Sequence, residues 1–399
     1  MKNEKQISPY NKIRQKLYVT VEKNEKFDRY RYIACALGIL LLASVLFFVA
    51  TLMETSKSNE KYVYYYGETE QKLSSELALS NNVQLVDMNS LADYCNIEKS
   101  SFFSQAVFKI NGTEVSFENG SDVAKVNGIT VKMPSEALIK SGFCLVPLQT
   151  VKEILFGITI STDGKQTTFA KTGKDMYLLA IAPEVDYVTD VSEYLDYINS
   201  KDEYIFTLAN KQNALGENFP EDKDSLIEIP EKYRKSSVIY LYYVAEGALE
   251  AMMEDMFAEG LNDVYVTSAY RSYAYQNTLF NMYVEQEMAN GLSYEKAREK
   301  VLTYSSEPGK SEHQTGLCVD FTTRSIGGVV DESFETTAAF DWLVENSWKY
   351  GFILRYPEDK VDITGYSYES WHYRFVGLEI ASIIHQTGLS YEEYIQNFN

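Results

Sequence analysis

The chain has 399 residues, of which 45% are apolar and 14% aromatic, enough to build packed cores in two or three domains and too much for a disordered chain. Its net charge of −20 at pH 7, from 57 acidic and 37 basic residues, argues against a nucleic-acid footprint, because phosphate backbones are met by clustered Lys and Arg.

Taken in chain order, residues 1–31 hold nine Lys/Arg and four Asp/Glu, a net of +5. The next 22 residues, 32–53 (YIACALGILLLASVLFFVATLM), contain no charge and as a helix would span about 33 Å, enough to cross a bilayer. A leader of 31 residues is long for a cleavable signal peptide, and the flank ATLMETS offers no small-x-small cleavage site. The expectation is a retained transmembrane signal anchor. The positive leader stays cytoplasmic and everything after residue 53 lies outside. With the leader's +5 set aside, the remainder carries −25. Cys35 falls within the apolar run, which leaves Cys95, Cys144 and Cys318 beyond it. An odd number is a poor basis for a disulfide framework, and Cys95 with Cys144 is the one pairing left open.

Residues 54–80 are polar and read as a connector. Over 81–170 the pattern becomes that of a small β-rich domain. FKINGTEVSFENGSDVAKVNGITVKM alternates apolar with polar residues and carries Asn111-Gly112, Asn119-Gly120 and Asn127-Gly128, dipeptides suited to tight hairpins. GFCLVPLQTVKEILFGITISTDGKQTTF follows as a strand ending at Pro147, a short helix, and a hairpin turning at Asp163-Gly164. This stretch, and LVPLQTVKEIL above all, resembles the copper amine oxidase N-terminal-like stalk domain of cell-surface proteins. The resemblance implies a spacer or binding module. No histidine precedes His313, so an imidazole-bound copper site is not available there.

Residues 171–200 read as a linker, and 201–399 alternate helices with strands. SSVIYLYYVAEGALEAMMEDMF, YAYQNTLFNMYVEQEMANG, SYEKAREKVLTY and FETTAAFDWLVENSWKYG have helical spacing. DVYVTSAYRS, HQTGLCVDF, FILRYP and SWHYRFVG read as strands, and a helix closes the chain. Such mixing predicts an α+β fold, giving a membrane-anchored protein with a small β-rich stalk and a mixed α+β catalytic domain.

Two segments of that last domain carry chemistry. In SEHQTGLCVD, His313 and Asp320 flank Gly316, and either a plain turn into a strand or two ligands of one metal ion would explain them. YESWHYRFVG supplies His372 as a third ligand and Glu369 as a carboxylate beside it. The ordinary alternatives are an interior histidine bonded to a carbonyl and a surface glutamate. Three N/O ligands with a fourth position left for water are typical of zinc hydrolases, and a non-ligand carboxylate can take that water's proton. His385, near the end of the closing helix, fits a helix C-terminus and stays outside the set.

SEHQTGLCVD fits an S-x-H-x-x-G-x-x-x-D signature and ESWH an E-x-W-H signature, and with them the chain resembles the VanY-type D-alanyl-D-alanine carboxypeptidases, which are zinc peptidases. LANKQNALGENFPED and SAYRSYAYQ, the latter matching Y-R-S-x-x-x-Q, extend the resemblance over about the last 195 residues. The resemblance implies that His313, Asp320 and His372 hold zinc and that Glu369 is the general base. It makes Arg271 the partner of the developing negative charge or terminal carboxylate, and Gln276 and Ser311 substrate hydrogen-bonders. An arginine's planar fork suits such an anion; a surface ion pair is the ordinary alternative for Arg271. Cys318 stands where the family prefers alanine, either as a small buried hydrophobe or as a competing soft ligand. Ala269 stands where glycine is frequent.

The implied function is removal of the terminal D-alanine from peptidoglycan stem peptides by a single-pass membrane protein with an extracytoplasmic catalytic domain. An L,D-carboxypeptidase acting on tetrapeptide stems and a non-catalytic wall-binding or sensor protein are the alternatives. An intact Glu369 argues against the latter.

Overall fold

A computed structural model describes residues 61–398, apart from residues 103, 141, 182 and 236. The predicted anchor over 32–53 lies outside the described residues. Among those described, no helix is long and apolar enough to cross a membrane.

Two main hydrophobic cores divide the described residues. The first is built from Tyr64, Phe108, Val115, Phe117, Phe169 and their neighbours, inside three small sheets. A five-stranded meander runs through Glu98–Phe102, Gln105–Ile110, Thr113–Glu118, Val123–Val126 and Ile129–Lys132. Asn111 and Asn127 both adopt positive φ, each followed by a positive-φ glycine, so two of the Asn-Gly pairs make the mirror-image turns that match strand twist. At Asn119-Gly120 only the glycine does so. The strand Phe143–Pro147, helix Leu148–Ile154 and hairpin Ile158–Asp163/Gln166–Lys171 follow as expected.

The stretch read as a connector is in part structural. Lys61–Tyr66 and Thr69–Ser74 form a hairpin, and the first of these strands pairs in parallel with Gln166–Lys171, closing the first and last parts of the module on each other. Residues 171–200 are also packed. Tyr177–Leu178 pairs with Leu155–Phe156, Leu178 joins the first core, and Leu179, Val191 and Ile198 join the second. Buried Asp255 accepts the backbone N–H groups of Val188 at 2.9 Å and Thr189 at 2.7 Å, together with the hydroxyls of Thr189 and Tyr350. Such a segment has no periodicity of its own to announce it, because its contacts come from distant partners.

The second core surrounds a four-stranded antiparallel sheet in the order Val264–Ser268, Cys318–Thr323, His372–Phe375, Phe352–Leu354. Helix Tyr243–Ala258 covers it with apolar residues, and helices Ala338–Asn346 and Leu378–Thr387 add Leu343, Ile380 and Ile383 to the same core. Helices Tyr273–Ala289 and Tyr294–Val301 make a small cluster of their own through Phe280, Val284, Ala297 and Val301. The fold is α+β. Gln386 ties the two cores together: its Oε1 accepts from Asn127 Nδ2 and from the Ala180 N–H, both at 2.8 Å.

Candidate active site

Sheet register gathers the residues singled out above. Asp320 lies directly opposite Ser268 on one neighbouring strand and His372 on the other, so Asp320 and His372 meet across a single strand pair although 52 positions separate them. His313 precedes the strand on the 3-10 turn Glu312–Thr315, which ends at Gly316 with φ of +67°. A Cβ at Gly316 would stand 2.9 Å from the Leu226 side chain and 3.2 Å from the Tyr242 nitrogen, so both conformation and space call for glycine. The backbone N–H of Arg271, beyond strand Val264–Ser268, donates to the carbonyl of His313 at 3.0 Å. Glu369 is held in the loop before His372, its N–H on the Tyr356 carbonyl at 3.1 Å.

The side chains converge. Asp320 Oδ2 lies 3.2 Å from His313 Nε2, and Asp320 Oδ1 lies 2.9 Å from His372 Nδ1. His313 Nδ1 meets the Ala269 carbonyl at 2.6 Å, which fixes the proton there and leaves Nε2 as a lone-pair donor. Metal bonds of about 2.0–2.1 Å at tetrahedral angles place neighbouring donors roughly 3.3 Å apart, and both Asp320–imidazole distances are of that size. Burial would raise the pKa of Asp320, but the two imidazoles outweigh it and hold the carboxyl well below its ordinary value. It is the anionic member of the set.

Cys318 belongs to this centre too. Its buried sulfur and one ring nitrogen each of His313 and His372 all lie within 4.8 Å of one another. Burial raises the thiol and the two imidazoles lower it further, to about 7. It is a small buried residue, and its sulfur lies beside the two histidines.

Glu369 Oε2 is 3.8 Å from His372 Nδ1, and the side chain stays 17% exposed. Burial pushes its carboxyl up to about 7, against the pull of His372. Arg271 reaches Asp320 Oδ2 with Nη2 at 3.4 Å and Gln276 Oε1 with Nη1 at 3.0 Å. Gln276, expected as a substrate hydrogen-bonder, is buried with Oε1 on Arg271 and Nε2 on the Ser306 carbonyl at 2.8 Å, so in this structure it orients the arginine. Ser311 is buried on the cavity wall. A cavity of about 1160 Å³ opens over the His313/Asp320/His372 trio, Glu369, Arg271, Gln276 and Ser311, and tyrosines from several segments line it. His385 is exposed, stacks on Trp348 with ring centroids 5.0 Å apart, and is not part of the cavity lining.

Sequence reasoning missed Glu312, Arg355 and Arg374. All three are fully buried, and Glu312 Oε1 accepts from Arg355 Nε at 2.8 Å and Arg374 Nη1 at 3.0 Å. A carboxylate next to His313, in the motif already singled out, was the available signal, but its burial cannot be read from the sequence.

A buried His/Asp/His trio under an open cavity, flanked by a carboxylate and an arginine, is an arrangement that could hold a metal ion and act on a carbonyl, the layout of the metallopeptidase class. The D-alanyl-D-alanine carboxypeptidase family (VanY) matches residues 239–378, and the copper amine oxidase N-terminal domain matches residues 65–170. The putative carboxypeptidase YodJ of Bacillus subtilis (strain 168) is 39% identical over 198 residues, covering 49% of this chain and 68% of the relative. A D-alanyl-D-alanine carboxypeptidase of Enterococcus faecalis (strain ATCC 700802 / V583) is 40% identical over 147 residues, covering 36% of this chain and 52% of the relative, so about half of that protein's length is spanned. Among solved structures, the LdcB LD-carboxypeptidase shares 37% identity with a TM-score of 0.44, covering 49% of this chain and 87% of that one. A vancomycin-resistance D,D-pentapeptidase VanY in complex with Zn(II) shares 34% identity with a TM-score of 0.40, covering 48% and 99%. This chain belongs to the VanY carboxypeptidase family and is an enzyme.

Proposed function

We propose that this chain is a membrane-anchored, extracytoplasmic zinc carboxypeptidase that removes the terminal D-alanine from peptidoglycan stem peptides. The observation that carries the reading is the meeting, in one cavity, of the His313/Asp320/His372 trio, the part-exposed Glu369 3.8 Å from His372, and Arg271. The uncharged run over 32–53 and its basic leader support the anchor and orientation. The acidic remainder and the β-rich module support a role away from the bilayer, toward the wall.

His313 through Nε2, Asp320 through its carboxylate and His372 through Nδ1 would hold the zinc. Zinc, when bound, supplies a Lewis acid that polarises the scissile carbonyl and lowers the pKa of water. Arg271, held by Gln276 and Asp320, presents its guanidinium to the cavity as the partner of a free carboxylate or developing oxyanion. Glu369, raised to about 7, is poised to accept a proton from water and return it to the departing amine near neutral pH. Ser311 remains a candidate for substrate hydrogen bonding from the cavity wall.

The test uses the full-length protein in detergent, incubated with pentapeptide stems ending in D-Ala-D-Ala and with tetrapeptide stems. Mass spectrometry should detect D-alanine released from the pentapeptide, and a chelator should abolish the release. Release from the tetrapeptide alone would replace the D,D reading with an L,D one. No release from either stem would reject the proposal.

A further inference from the structure

Behind the metal-binding trio lies a group of charges that the proposed chemistry leaves unused. Arg355 joins Glu312 to Glu392 on the last helix, Tyr391–Phe398, which follows Leu378–Thr387, and donates to the two Glu392 oxygens at 2.8 and 2.6 Å. Arg374 fills its remaining directions with the carbonyls of Phe375 at 3.0 Å, Ile205 at 3.0 Å and Thr207 at 2.7 Å. Glu312 is thus clamped through Oε1 by two guanidiniums, Arg374 fixed by backbone carbonyls and Arg355 by the Glu392 carboxylate. Its other oxygen, Oε2, is buried without a hydrogen-bond partner. So is Nε2 of His372, and the two atoms face each other at 3.6 Å.

A stabilising role explains this arrangement poorly. Taking a carboxylate and two guanidiniums out of water, with Glu392 only part-buried beside them, is expensive, and such clusters often contribute less to stability than apolar residues of the same volume. The geometry around the two ligand histidines offers a better account. His313 turns Nε2 toward Asp320 because its Nδ1–H is held by the Ala269 carbonyl. His372 turns Nδ1 toward Asp320, so its Nε2 needs the equivalent outer partner, and Glu312 Oε2 is the acceptor on that side. A carboxylate behind a ligand imidazole fixes its tautomer and orientation and makes it a stronger donor.

We propose that Glu312 is a positioning residue for the metal centre: its Oε2 takes the Nε2–H of His372 and keeps Nδ1 aimed at the metal, while Arg355 and Arg374 hold the carboxylate in place. This inference rests on the zinc reading above. The buried arginines are needed because a free glutamate side chain could not keep one oxygen on one ring. Glu392 links the same device to the C-terminal helix.

Zinc affinity of the full-length protein is measured by chelator competition for the wild type, Glu312→Asp and Glu312→Gln, with thermal melting of each metal-free form. Glu312→Asp preserves the charge opposite the arginines and withdraws the carboxylate by one methylene, so it keeps the variant set informative if Glu312→Gln does not fold. Zinc affinity is expected to fall roughly 10–100-fold in each folded variant, the usual effect of losing an outer partner of a ligand. Selective 15N-histidine labelling of a chain with three histidines reads each ring's tautomer, and His372 should lose its fixed Nε2–H form while His313 keeps its own. Wild-type zinc affinity within twofold in a folded variant, with the His372 tautomer unchanged, overturns the inference and leaves the zinc reading standing. A wild type that binds no zinc overturns both.

Discussion

The N-terminal β module and the C-terminal α+β domain solve the problem of polar groups in opposite ways. In the first, the one charged residue buried among those described is Asp87, and it is fully occupied as a helix N-cap. It accepts the N–H groups of Asn89 and Ser90 at 3.2 and 3.3 Å and that of Cys144 at 3.1 Å. The second buries Glu246, Asp255, Glu287, Glu312, Asp320, Arg355 and Arg374 beside two histidines. Desolvation opposes every one of these, so they persist where something else requires them. Several of them surround the His313/His372 centre. The contrast separates a scaffold, whose residues serve packing, from a site, whose residues are held against their solvation.

The sharpest way to break this contrast is at Glu369. Glu369→Gln keeps size and hydrogen bonding but cannot accept a proton, so turnover should fall by roughly two to four orders of magnitude while bound zinc and substrate-analogue affinity change little. Parallel metal analysis, binding and initial rates on this variant decide it. Loss of zinc would make Glu369 a ligand, and a near-normal rate would remove it from the mechanism.

A smaller effect is expected in the scaffold. Asp87→Ala removes an N-cap and strands the buried Cys144 N–H, which together should destabilise the β module by about 1–3 kcal/mol. Denaturant titration should report that loss, and hydrolysis of a short soluble stem peptide at 25 °C should be unaffected. If kcat fell with stability, the β module would be part of the chemistry and the division would fail.

A further test, read as a trend with pH, takes a buried carboxyl on the catalytic side that lies outside the site. Burial, together with Glu250 one turn away, raises Glu246 to about 8 from its ordinary 4.5. A carboxyl raised on folding favours the folded state fully below its unfolded pKa, and that contribution is lost as pH climbs from about 4.5 through about 8. Glu246→Gln should therefore gain melting temperature relative to wild type progressively over this window and hold the gain above it, at about 2–4 °C per kcal/mol relieved. An equal shift at every pH would show that packing, not charge, is what the substitution changes.

Much of this protein could be read from local signals. Asn-Gly pairs specify hairpins through two residues' tolerance of positive φ, so the meander from Gln105 to Lys132 was visible in advance. Most helices and strands of the last 200 residues lie where their patterns put them, but Tyr240–Tyr242, read as the start of a helix, is a strand paired with Leu226–Glu228. The trio His313, Asp320 and His372 was visible because short motifs pair scarce residue types at fixed spacing. The packed stretch 171–200 was not, because its order comes from Asp255 and from strand Leu155–Phe156, none of which leaves a trace in its own pattern.

What the sequence determined by itself was which residues could do chemistry: residue types and short spacings are local properties, and a histidine with an aspartate seven positions on is recorded in the chain whatever it folds into. Tertiary structure alone decided which atom of each residue is used. Antiparallel register across Cys318–Thr323 and His372–Phe375 sets Asp320 against Nδ1 of His372, and the Ala269 carbonyl turns Nε2 of His313 the same way. Gln276 became a support for Arg271 because Ser306, 30 positions away, closes over its amide. Glu312 and its two arginines come from three separate segments, and only desolvation in a shared core makes their charges seek one another, a condition that no stretch of sequence records.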